Sequence, residues 1–138
     1  MALLGRNASV TVNSNTVVDL YNWQIDLVAD PITQPVFGDT WSKTHGLAVN
    51  SWSGSFEGIF ATTDTNGQVY LRNAQINSTV VSGIKFYLDA TNYYAPDVVA
   101  DSDAGVYITS HSVTVDPQDV VRVTYEFTGS GELDIFTT

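Results

Sequence analysis

A chain of 138 residues without a cysteine, carrying 15 acidic against 5 basic side chains for a formal net charge of −10, excludes several classes of protein at the outset. A disulfide framework and a thiolate metal or redox centre are impossible. The basic footprint that grips nucleic acid or an anionic membrane is missing.

The length fits one domain, expected to span 1–138, and suffices to bury a core without staples. No apolar run reaches the ~20 residues of a transmembrane helix, and "MALLGRNASV" lacks the long apolar region of a signal peptide. Sequons at Asn7 and Asn77 matter only in a glycosylating secretory pathway, for which nothing else in the chain argues.

In chain order, "ASVTVN" reads as a short strand followed by turn chemistry in "NSNT" (13–16). "LYNWQIDLVA" alternates, with Tyr21, Trp23, Ile25 and Leu27 on one face and Asn22, Gln24 and Asp26 on the other, the pattern of a half-buried strand. Residues 30–48 form a long excursion, and excursions of that length in compact domains usually have a job. Within it, "GDTWSKTHG" (38–46) predicts a flanking helical turn or two, capped by Asp39 or Thr40 and ended by Gly46. "NSWSGSFEGIF" then sets Trp52, Phe56 and Phe60 on one face, spaced by Gly54 and Gly58, against Ser51, Ser53, Ser55 and Glu57. "TNGQVYLRNAQINS" predicts a second short helix with Val69, Leu71 and Ile76 inward.

The second half continues the alternation. "VVSGIKFYLD" opposes Val80, Ile84, Phe86 and Leu88 to Thr79, Lys85 and Asp89. "GVYITSHSVTVD" is a strand with a weaker pattern, and "DPQD" (116–119) places Pro117 where a type I turn favours it. "VVRVTYEFTG" opposes Val121, Val123, Tyr125 and Phe127 to Arg122, Thr124 and Glu126. "TGSG" (128–131) carries hairpin chemistry before a last strand in "ELDIFT". Six to eight such strands predict an all-β fold, mainly an antiparallel sandwich or barrel, with a short flanking helix.

Catalytic chemistry finds little footing. The histidines are His45 and His111, and "SWSGSFEG" places its glycines at 54 and 58 rather than in a nucleophile elbow. Both are read as ordinary polar side chains, so no catalytic residue and no enzyme activity are expected. Asp97, Asp101 and Asp103, with Asp64 elsewhere, include a D-x-D fragment of a calcium loop, but the distal bidentate glutamate is absent. These acids are read as a solvated loop, and neither a metal nor a cofactor is expected. A sugar-stacking platform is the other use for so many aromatics; Trp23, Trp52, Phe56 and Phe60 lie instead on alternating apolar faces, as core residues do.

The order of features is more specific than any one of them. A strand centred on Trp23 leads to the excursion "PITQPVFGDTWSKTHGLAV". The strand Trp52-x-Gly54-Ser55-x-x-Gly58 follows, and the chain closes with paired strands containing Phe127-x-Gly129-x-Gly131. Over about residues 8 to 136 this resembles the tail tube proteins (major tail proteins) of long-tailed bacteriophages and the related tubes of gene transfer agents.

The resemblance implies a β-sandwich with a flanking helix, a structural virion protein whose hexameric rings join their inner strands into one barrel and stack into a tube for genome ejection. It implies a homo-oligomer with a tape measure protein in the lumen and a tail terminator and a distal tail protein at the ends. DNA would pass without specific binding, no membrane would take part, and the location would be the virion tail, assembled in the host cytoplasm. Six copies would carry −60, and an acidic, hydroxyl-rich lumen would not hold a passing phosphate backbone. On this reading residues 38–46 are the flanking helix, with Asp39, Trp41 and Lys43 at a subunit or ring interface. Packing of Trp41 onto its own sandwich ranks slightly ahead of insertion into a neighbour. Ser53, Ser55 and Glu57 face the lumen. A small carbohydrate-binding β-sandwich is the alternative from another class, and a contractile tail or injection machine is the alternative setting for the tube.

Overall fold

A computed structural model describes residues 8–34, 37–38, 40–41, 43–61 and 63–137. Eleven strands and one helix occur among them: β1 (Ser9–Val12), β2 (Asn15–Thr16), β3 (Leu20–Val28), β4 (Pro31–Gln34), β5 (Lys43–Leu47), β6 (Ser51–Ile59), α1 (Gln68–Ile76), β7 (Ile84–Tyr87), β8 (Asn92–Pro96), β9 (Gly105–Thr114), β10 (Arg122–Ser130) and β11 (Leu133–Thr137). They form a five-stranded sheet in the order β11-β8-β7-β1-β2, a four-stranded sheet in the order β3-β6-β10-β9, and a separate β4-β5 hairpin. Neighbouring strands pair antiparallel throughout. The expected all-β fold with one short helix is what the chain adopts.

The core is where the apolar faces of the two larger sheets meet. Val10, Val12, Ile84 and Phe86 come from one sheet; Trp52, Phe56, Ile108, Val123, Tyr125 and Phe127 come from the other. Phe86 crosses the gap, its ring 5.1 Å from Phe127, 5.6 Å from Trp23 and 6.2 Å from Phe56. Rings at these separations add attraction to the area they remove from water, so this cluster fixes how the sheets sit on each other.

Strict alternation fails at one expected place. Leu20 pairs with Gly58 and Asn22 with Glu57, leaving Tyr21 as an extra residue in β3. Such a bulge turns the following side chains by one position relative to the partner. Leu20 and Trp23, on either side of the bulge, and Ile25 pack on the core, whereas Tyr21 is exposed, and Leu27, on the core side opposite Trp52 but near the end of the strand, is exposed too.

The helix lies at 68–76, not at 38–46. Its start is set by Asp64, whose carboxylate accepts the Gln68 N–H and whose carbonyl accepts that of Val69. Its end is a Schellman turn: the Thr79 N–H donates to Ala74 O and the Ser78 N–H to Gln75 O, with Ser78 in the left-handed region at φ 53°. Gln68, Leu71 and Ala74 are buried, and Ile76, expected inward, is exposed. Gln68 is buried because its polar atoms are occupied. Nε2 donates to Val18 O and Ile59 O, and Oε1 accepts the Ala61 N–H.

The end of the segment expected to be helical is instead a strand. Lys43–Leu47 is a strand paired with Pro31–Gln34, and Gly46, the expected helix stop, sits at a bulge with φ +143°. The capping signals were local, but the segment offers no apolar stripe at helical spacing to bury. Trp41, expected to pack on its own sandwich, is 83% exposed. Asp39 lies outside the described residues.

Candidate functional site

The four-stranded sheet packs one face on the core and presents the other as rows of polar side chains. The pairing of β3, β6, β10 and β9 assembles these rows. One aligns Asn22, Glu57, Thr124 and Ser112; a second aligns Gln24, Ser55, Glu126 and Ser110; a third aligns Asp26, Ser53 and Thr128. Ser53, Ser55 and Glu57 thus lie together on this face. Gln24, Asp26, Ser53, Ser55, Thr109, Glu126 and Thr128 surround an open depression of about 340 Å³.

The three rows carry the carboxylates of Asp26, Glu57 and Glu126 and no basic residue. Their acids are held locally. Asn22 Nδ2 donates to Glu57 Oε1 at 3.1 Å, and Gln24 Nε2 donates to both Asp26 oxygens at 3.2 Å. The one guanidinium at the end of β10, Arg122, is neutralised by Asp119 at 2.8 Å and also donates to the Tyr21 hydroxyl. Asp119 is held below its ordinary value by that hydrogen bond. Sequence alternation placed Asn22, Gln24, Asp26, Thr124 and Glu126 on a polar face. It missed the β9 contribution, because a register shift opposite Glu126 and Phe127 breaks the period there.

This sheet is bounded by two long edges. β3 has nine residues and β9 has ten. The β3 edge pairs with no other strand among the described residues, and β9 meets only an isolated bridge from Val81 to Val106. An unpaired edge is a row of free backbone donors and acceptors, which a protein must protect or use.

The remaining expected sites resolve into local roles. Asp97 Oδ1 accepts the N–H groups of Val99 and Ala100, and Asp101 Oδ1 accepts that of Asp103, so these acids cap their own turns. Asp64 serves the helix start. Asp97 does approach Glu132 and Asp134, a cluster the sequence spacing did not reveal because β8 and β11 are distant in the chain. There a hydrogen bond with Asp97 pushes the Asp134 carboxyl up to about 6. His111 packs edge-on against Tyr125 at 4.8 Å and lies near Phe60. Its Nε2 is buried without a partner, and desolvation followed by the charge of Arg72 pushes its pKa down. The His45 side chain lies outside the described residues.

The outer face of the five-stranded sheet carries Tyr87, Tyr93 and Phe136, with Lys85 Nζ 4.9 Å from the Tyr93 ring centre. These rings pack against one another, at 5.0 Å and 5.5 Å. That geometry stabilises cross-strand neighbours and leaves Tyr93 with rings on two sides and a cation over it, a poor platform for a sugar.

No family model matches the chain, and no curated protein matches it by sequence. Its fold does match solved structures along nearly all its length. One is from the virion of a native gene transfer agent particle, with a TM-score of 0.77 and 17% identity, covering 99% of each chain. A second is from the tail of an empty gene transfer agent particle with C6 symmetry, with a TM-score of 0.77 and 18% identity, covering 99% of this chain and 100% of the other. A third is the SPP1 tail tube, with a TM-score of 0.63 and 11% identity, covering 99% of this chain and 80% of the other. The fold is therefore the one shared by phage tail tubes and gene transfer agent tails.

Proposed function

We propose that this chain is a structural tail tube subunit. Copies join edge to edge into rings, hexameric by analogy with the sixfold tail it resembles, and the rings stack into a conduit for a genome. The observation that carries this reading is the four-stranded sheet. With antiparallel neighbours and an even strand count, β9 of one copy runs opposite to β3 of the next, so alternation continues across every joint. Such a head-to-tail contact generates a ring when the rotation closes, and closure removes both open edges.

In that arrangement the polar rows face the lumen, with Ser53, Ser55 and Glu57 lining it beside Asp26 and Glu126. Three carboxylates per copy and no base in these rows make a wall that duplex DNA, with one negative charge per ~1.7 Å of axis, slides past rather than binds. The β4–β5 hairpin, with Trp41 and Lys43 and the adjoining Asp39, makes contacts between subunits. A tape measure protein in the lumen, a terminator and a distal tail protein at the ends, and a place in the virion tail belong to the same proposal. The role is non-catalytic.

Negative-stain electron microscopy of the purified chain, with sedimentation across a concentration series, tests the proposal. Hollow tubes or stacked rings support it. A strict monomer whose tryptophan fluorescence is quenched saturably by a sugar replaces it with the carbohydrate-binding alternative.

A further inference from the structure

Where α1 packs on the four-stranded sheet lies His111, a side chain to which the tail tube reading gives no task. His111 pairs with Tyr125 across β9 and β10, so it shares the core side of the sheet with that fully buried ring. β9 is also the strand on which α1 packs. The imidazole meets Tyr125 edge-on at 4.8 Å and Phe60 at 6.5 Å, and its Nε2 is closed to water without a hydrogen-bond partner. A neutral imidazole tolerates one bare ring nitrogen. An imidazolium has a donor on both nitrogens and a charge that burial penalises.

The helix beside it is a strap tied at its ends. At the start, Gln68 Nε2 donates to Val18 O and Ile59 O, its Oε1 accepts the Ala61 N–H, and Asp64 accepts the Val18 N–H. Beyond the end, Val81 and Val106 exchange backbone hydrogen bonds at 2.8 and 2.9 Å. Between these ties the helix is held by the burial of Leu71 and Ala74.

We infer that α1 is an acid-opened strap: when His111 takes a proton at Nε2, the stretch from Leu71 to Ile76 lifts from β9 while the two sheets stay packed. Water reaches a charged Nε2 only if a group around it moves. Tyr125 is fixed in its strand and its hydroxyl donates to Gln68 O, and the Phe60 N–H donates to Val121 O. The middle of the helix, held by apolar burial, gives way first. Charge acts in the same direction. Arg72 of α1 is the cation that acts on His111, so protonation sets two positive charges against each other across the joint. The other titratable groups nearby do not offset this. Burial holds Tyr125 neutral, Tyr70 of the same helix packs against the core, and the Asp64 carboxylate is engaged by the Val18 and Gln68 N–H groups. The inference is independent of the tail tube reading.

Hydrogen exchange of the purified chain between about pH 5 and 8, expressed as protection factors, tests it. Amides from Leu71 to Thr79 are expected to lose protection as the pH falls below 6.5, by at most about tenfold per pH unit for one proton. Those of Phe56 and Tyr125 keep theirs. His111→Phe should abolish the pH dependence. Arg72→Gln, at an exposed position, should raise the titration midpoint of the His111 ring in NMR spectra and shrink the acid loss of helix protection. A His45→Gln variant assigns the ring signals, since the chain has two histidines. Should His111→Phe fail to fold, the Arg72→Gln pair of readouts still decides. Helix protection that ignores pH, equal losses in helix and sheets, or an Arg72→Gln chain that matches the native one in both readouts would overturn the inference.

Discussion

The indole N–H of Trp52 donates to the carbonyl of Gly131 at 3.0 Å, and the Trp52 ring lies against Gly129 so closely that a Cβ there would collide with it. Phe127, two residues before Gly129, meets the same ring at 6.2 Å in an edge-on contact. Trp52-x-Gly54 and Phe127-x-Gly129-x-Gly131, far apart in sequence, are two halves of one packing unit. Gly54 belongs to it too, since a Cβ at that position would run into the Gln24 carbonyl and the Phe127 ring. Gly129→Ala is expected to destabilise the fold by about 3 kcal/mol, the upper part of the range for overpacking a tight core. Urea unfolding followed by tryptophan fluorescence measures it, and a change below experimental error would remove this unit from the account.

Ser78 occupies the left-handed position of the helix-ending Schellman turn, a conformation that disfavours any side chain with a Cβ. Ser78→Gly should therefore stabilise the protein, by about 1 kcal/mol once the greater freedom of glycine in the unfolded chain is set against the relieved strain. The same unfolding curves report it, and a clear loss of stability would show that the Ser78 side chain has a role the turn does not require.

Two groups give the stability curve opposite slopes in neighbouring pH ranges. His111 has a folded pKa below 6.5, so its contribution is fully present above pH 6.5 and is lost as the pH falls through the folded value. Asp134 has a folded pKa of about 6 against an ordinary 3.8. It contributes most below 3.8, and that contribution is lost as the pH rises through about 6. Thermal melts from pH 4 to 8 should show that Asp134→Asn gains on the native chain as the pH rises from 4 to 7. His111→Phe should flatten the loss on the acid side. Parallel curves for all three proteins would contradict both assignments.

In the proposed tube, the polar sheet face decides how DNA behaves against the wall. Glu57→Lys with Glu126→Lys replaces two of the three row carboxylates by cations, and the variant is expected to assemble. Short duplex DNA should then cosediment with variant tubes and be released steeply by salt, as phosphate contacts dictate, while native tubes retain none. Equal retention by both would place this face elsewhere than the lumen.

Much of this was legible in the residues. The period-2 pattern around Phe56, Phe86, Val123, Tyr125 and Phe127 identified the core, because a strand with one buried face can hardly be written otherwise. The polar side of β6 was equally plain. The excursion was harder. Glycine at 46 serves a bulged strand as well as a helix end, and within 38–46 only the lack of a second apolar side chain at helical spacing from Trp41 argues against the helix. The helix at 68–76 falls in the second segment expected to be helical, "TNGQVYLRNAQINS"; what the residues did not reveal was its end at Ser78, without a glycine, and the exposure of Ile76. The β9 rows were hidden by a bulge, and the Asp97–Glu132–Asp134 cluster by the distance in sequence between β8 and β11.

A cryo-electron microscopy reconstruction of assembled tubes, read for the orientation of the four-stranded sheet, tests the proposed tail tube role most directly. The expected result is β3 of one copy hydrogen-bonded to β9 of the next around a closed ring, with Asp26, Ser53, Ser55, Glu57 and Glu126 facing the lumen. A wall in which Lys85, Tyr87 and Tyr93 face inward, or in which β3 and β9 remain unpaired between copies, would contradict it.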